Sequence, residues 1–88
     1  MANYEVNNFE EYWIKYDSLV KNLKKEHQFE LADKFVDAKK NVNGLTDGWF
    51  EFTNEFEVLI KQNKSILNIV NLELALFLIK TIKSSLER

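Results

Sequence analysis

Four amphipathic helices packed as an up-and-down bundle are the fold this sequence predicts, and three observations predict it. Apolar residues recur at i, i+3, i+4 and i+7 over most of the chain, the period of a buried helical stripe. There is no proline and there are only two glycines in 88 residues, so little interrupts a helix. Hydrophobic residues make up 45% and aromatic residues 14%, enough to fill the core of a chain near the lower size limit for independent folding. The expectation is all-α, without a sheet, as one domain over residues 1–88 with helices near 8–24, 27–42, 46–62 and 71–86.

The first helix places Phe9, Tyr12, Trp13, Tyr16, Leu19, Val20 and Leu23 on one stripe. Asn7 or Asn8 is its N-cap, Glu10 and Glu11 suit the positive end of its dipole, and Lys21, Lys24 and Lys25 suit the other end. The second carries Leu31, Phe35, Ala38 and Val42, with Phe29, Ala32 and Val36 beside them, an arc wide enough for two neighbours. Its start near Glu26 or His27 is unmarked by glycine or proline, so one long bent helix competes with a break. Gly44 is suited to end the second helix in a left-handed conformation. Thr46 is suited to cap the third, with Leu45 and Phe50 at the two positions of a hydrophobic staple. The third helix buries Trp49, Phe52, Phe56, Leu59 and Ile60. Residues 63–71 hold Ile66, Leu67, Ile69 and Val70 without clear period and read as a packed connection or a helical turn. Asn71 then caps a last helix with Leu72, Ala75, Leu78, Ile79, Ile82 and Leu86 inside.

Several function classes find no support. Without cysteine there is no disulfide frame, thiolate metal site or cysteine nucleophile. The one histidine, His27, sits at a helix start, and neither a glycine-rich phosphate loop nor a helical zinc motif is present. The expectation is therefore no enzyme, no cofactor and no metal. Net charge is −2 and the lysine pairs are interleaved with acids, which argues against nucleic acid. The apolar run Leu72 to Ile79 contains Glu73 and is far too short to span a membrane. The polar stretch from Met1 to Glu5 has no secretion-signal pattern, which makes the cytoplasm the expected location. Eleven of the twelve basic residues are lysine and asparagine is abundant, a bias of AT-rich, often bacterial, coding sequence.

Three polar or apolar patterns are left over. Glu26, Glu30, Asp33 and Asp37 fall within about 60° on the second helix, a strip read first as a solvated face. On the third helix Asp47, Glu51 and Glu55 form a second strip, with Glu57 further round and no lysine or arginine between Val42 and Ile60. That segment reads first as solvating acids at a dipole-compatible helix start, and as the alternative it suits a cationic partner. Ile14, Phe50, Val58 and Phe77 fall on otherwise polar faces, and Leu74 and Leu76 flank the core arc of the last helix. Such residues are either buried within the chain or belong to an interface. Trp13 and Trp49 read as core.

The functional expectation is a protein-interaction module. Asp47, Glu51 and Glu55 are its acidic contact, and Leu74, Leu76 and Phe77 form a surface through which a second copy docks by the last helix. An immunity- or antitoxin-type protein that neutralises a basic partner is the alternative, and a carboxylate-based metal or small-ligand binder the third reading.

Overall fold

Asn8 opens the first helix by accepting a hydrogen bond on Oδ1 from the Glu11 N–H at 2.8 Å, which satisfies one of the donors a helix start leaves unpaired. In the computed structural model residues 8–42 and 46–86 are described, and they form α1 (Phe9–Lys25), α2 (Phe29–Lys39), α3 (Thr46–Asn63) and α4 (Ile69–Leu86). Each helix packs on the next and α4 returns to α1, closing a four-helix ring. The radius of gyration, 12.3 Å, is close to the ~12 Å of a compact chain of this length. Asn7, Gly44, the Leu45–Phe50 staple and the Thr46 side chain lie outside the described residues.

The break between α1 and α2 is real and has a clear chemistry. His27 adopts a left-handed backbone with φ 63°. Its N–H donates to Lys24 O at 3.0 Å and the Gln28 N–H donates to Leu23 O at 2.9 Å, the paired bonds of a Schellman ending with histidine where glycine is usual. At the other end α2 stops at Lys39, short of Val42, but the chain stays wound: the Asn41 and Val42 N–H groups donate to Ala38 O and Lys39 O in three-residue turns.

The last helix starts earlier than Asn71. Asn68 is the cap, accepting on Oδ1 from the Asn71 N–H at 2.8 Å, so Ile69 and Val70 form the first turn of α4. Asn71 is freed for another task. Buried to 1% exposure, its Nδ2 donates to Glu26 Oε2 at 2.6 Å, and its Oδ1 accepts from Asn22 Nδ2 at 3.1 Å. Asn68 Nδ2 reaches the same Glu26 oxygen at 2.8 Å, and Gln28 Nε2 donates to Ile66 O at 3.0 Å. The α1–α2 and α3–α4 junctions are thereby tied together at one end of the bundle. Leu67, buried beneath the second junction, anchors it from below.

The core is an aromatic slab between diagonal helices. Tyr12, Tyr16, Phe35, Phe52 and Phe56 are fully buried. Tyr16 meets Phe35, Phe52 and Phe56 edge-on at 6.2, 5.3 and 5.2 Å between ring centres, while Phe52 and Phe56 stack at 5.5 Å. Large rings bridge α1 to α3 across the middle. Both phenols find partners: Tyr12 Oη donates to Leu78 O on α4 at 3.0 Å and Tyr16 Oη donates to Phe35 O on α2. Burial, above all, pushes both phenols far above the usual tyrosine range, and for Tyr16 the charges of Glu55 and Asp17 add to it.

The aromatic positions depart from the predicted stripes at the helix starts. Phe9 and Phe29 are 55% and 54% exposed, because each is the first residue of its helix and lies beyond the packed layers. Trp13 and Trp49 are half-buried against the core and stack on each other at 5.5 Å, with Phe9 at 4.8 Å from Trp49 and Lys39 Nζ over Trp13 at 4.9 Å. They form the margin of the slab and not its centre.

Candidate docking site

The α3 helix begins at Thr46 and sets Asp47, Glu51 and Glu55 four residues apart, so the three carboxylates share one face and all are exposed. Glu57 lies off this face and is neutralised by Lys83 of α4, whose Nζ donates to Glu57 Oε2. That hydrogen bond, first among the causes, holds the Glu57 carboxyl below its usual pKa. The acidic strip keeps three charges, and among the described residues none of them is ion-paired.

The end of α2 completes the site. Asn41 Nδ2 donates to Glu55 Oε2 at 2.9 Å and to Ala38 O at 3.1 Å, which fixes the Glu55 carboxylate at the edge of a groove. Asn41, Glu51, Asn54, Glu55 and Val58 line about 400 Å³ of open space. Val58 is half-exposed there and presents the groove's one apolar side chain. Two carboxylates one helical turn apart beside an apolar patch match a lysine or arginine side chain, whose stem is apolar and whose head is cationic. Asp47 continues the strip but does not line the groove.

The α4 residues behave differently from one another. Leu74 is buried, and Phe77 is half-buried against the core, because the apolar arc of α4 is wide and both α1 and α3 pack on it. Leu76 alone of the three is exposed, at 43%. Ile14, Phe50 and Val58 also stand exposed.

A second groove of about 410 Å³ went unforeseen in the sequence. His27, Phe29, Lys34, Asn63 and Ile66 are among its lining residues, and it lies where the two tied junctions meet. Its only sequence signals are Phe29 and Ile66, apolar residues beside a helix boundary. The His27 ring rests edge-on near Phe29 at 5.8 Å. Of the acids expected on one strip of the second helix, Glu26 instead caps the end of α1 and binds the two asparagines, while Asp37 on α2 pairs with Lys40 at 3.4 Å, so the strip is divided. Among the described residues no three His, Asp or Glu side chains converge on a point that suits a metal ion. None of the described helices is long and apolar enough to cross a membrane. Compared with protein-family models, with curated proteins and with solved structures, the chain matches none.

Proposed function

We propose that this chain is a non-enzymatic protein-interaction module whose α3 groove docks a basic segment of a partner protein. The observation that carries the reading is the groove itself: Glu51 and Glu55 line it beside Val58, Asn41 orients one carboxylate, and among the described residues no cation pairs with them. Two acids elsewhere are engaged by lysines of neighbouring helices, Asp17 by Lys39 at 3.3 Å and Glu57 by Lys83. The groove is open and lined by polar side chains apart from Val58, unlike the enclosed and mostly apolar sites that hold small molecules, so a short basic helix or an extended lysine- and arginine-bearing strand fits it better than a small metabolite. A toxin-neutralising role is one biological setting in which such a contact would serve.

The test uses a short amphipathic peptide of alternating lysine and leucine as probe, followed by amide chemical shifts of the isotopically labelled protein. The expected result is saturable binding, weakened by salt, with shifts gathered at Asn41, Glu51, Asn54, Glu55 and Val58. Glu51→Lys together with Glu55→Lys should weaken it at least tenfold, a change of about 1.4 kcal/mol, while leaving the helical circular dichroism intact. Shifts scattered over the surface, or binding indifferent to the double reversal, would retire the assignment.

A further inference from the structure

The helix α4 carries apolar side chains on its outer as well as its inner side. Its buried residues Asn71, Leu74, Ala75, Leu78, Ile79 and Ile82 occupy one side. Directly opposite run Ile69, Glu73, Leu76 and Lys80, within about 60° of one another at 100° per residue. All four are exposed, Ile69 at 68%. Two of these four residues, Ile69 and Leu76, are large and apolar, and among the described residues no other helix packs on this outer face. Glu73 and Lys80 have no ion pair or hydrogen bond among the described residues. They stand about 10 Å apart along the axis, too far to pair with each other, with Leu76 between them.

We infer that this face binds a second copy of the chain through an antiparallel α4–α4 contact. The charge pattern selects that occupant. A two-fold axis passing between Leu76 and Phe77 sets Glu73 against the partner's Lys80 and Lys80 against the partner's Glu73, while the two Leu76 side chains meet at the centre. Each copy thus supplies the charge the other lacks, as an isologous interface requires. A parallel pairing would instead set Glu73 against Glu73. One helix pair is smaller than the ~800 Å² per partner of a standard interface, so the dimer dissociates readily on dilution. The inference stands apart from the α3 groove, which the two-fold contact leaves open.

Sedimentation equilibrium from micromolar to millimolar protein tests it. The expected result is a monomer–dimer equilibrium whose dissociation constant rises roughly tenfold in Glu73→Lys and in Lys80→Glu, since each places like charges in two symmetric pairs. An equimolar mixture of the two variants should recover dimer, because every facing pair is again of opposite sign. Circular dichroism of each variant guards against misfolding. A monomeric mass at millimolar concentration overturns the dimer, and a dimer that ignores both reversals, or a mixture that fails to recover, overturns the antiparallel α4 geometry. Failure here leaves peptide binding at Glu51 and Glu55 unaffected, and the converse holds.

Discussion

The two buried phenols make the stability of the bundle steeply sensitive to alkaline pH. An unfolded tyrosine ionises near pH 10, whereas Tyr12 and Tyr16 are 1% and 0% exposed and held protonated far beyond that. A group whose folded pKa lies above its unfolded value contributes fully below the unfolded pKa and loses that contribution as pH rises past it. Above pH 10 the unfolded chain sheds two protons that the folded chain keeps. Each costs about 1.4 kcal/mol of stability per pH unit, so the pair gives a slope of about 3 kcal/mol per pH unit. At pH 11 the loss is already about 3 kcal/mol, a large share of the stability of a small domain.

Phenylalanine variants isolate the effect. Tyr12→Phe and Tyr16→Phe each remove a hydroxyl that donates to a helix carbonyl, but those carbonyls keep their place in the helix ladder, so each substitution costs about 1 kcal/mol at neutral pH. Neither variant carries the alkaline penalty. The double variant should be about 2 kcal/mol less stable than the natural chain at pH 7 and more stable at pH 11, with the curves crossing between about pH 10 and 11. Urea unfolding followed by circular dichroism at a series of pH values measures both curves, and other groups that ionise in this range are common to both proteins. Parallel curves with no crossing would show that the phenols ionise as freely in the folded chain as outside it, and the account of the core would fail.

Two further substitutions probe the tied end of the bundle. His27→Gly removes the cost of holding a side-chain-bearing residue at φ 63° and should raise stability by roughly 1 kcal/mol, read as a higher urea midpoint with an unchanged slope. Asn71→Ala leaves Glu26 and Asn22 short of a partner and opens a small void, and should destabilise by about 1–3 kcal/mol. A neutral result would mean that the two junctions hold without this bond.

The helices that could be read closely from sequence were those whose faces have strong period and ordinary ends. The starts of α1 and α3 fall within a residue of expectation, because Asn8 is a true cap and the stripes from Tyr12 to Leu23 and from Phe52 to Ile60 repeat cleanly. The start of α2 was hidden because a left-handed helix ending usually announces itself by glycine, and His27 does not. The start of α4 was hidden by two asparagines with the same capping chemistry, of which the first caps and the second reaches across to Glu26. The acidic strip was legible, since four-residue spacing alone puts Asp47, Glu51 and Glu55 on one face. Its division was not. That Lys83 takes Glu57, and that Asn41 fixes Glu55, depends on how α3 lies against its neighbours. For Leu74 and Phe77 the same limit applies: they sit at the edge of the apolar arc, where the position of α1 and α3 decides burial.

The distribution of charge separates what holds the bundle from what is left for a partner. Lys39–Asp17 joins α1 to α2 and Lys83–Glu57 joins α3 to α4, so these pairs bind neighbouring helices together at the surface. Exposed pairs of this kind contribute little to stability each, and the aromatic slab carries the fold. The unpaired charges are not spread evenly. Asp47, Glu51 and Glu55 follow one another at steps of about 6 Å along the helix, each step inside the ~8 Å over which salt screens charge at physiological strength. A net charge of −2 on the whole chain steers a distant partner only weakly, but three carboxylates at that spacing are felt strongly by a cation already at the surface. Such a patch acts on the orientation and rate of a close encounter and on residence once the groove is filled. Partner binding at this groove should therefore respond to Glu51→Lys through slower association with a weaker salt dependence as well as faster dissociation, and a variant that left both rates unchanged would point to a contact made elsewhere on the molecule.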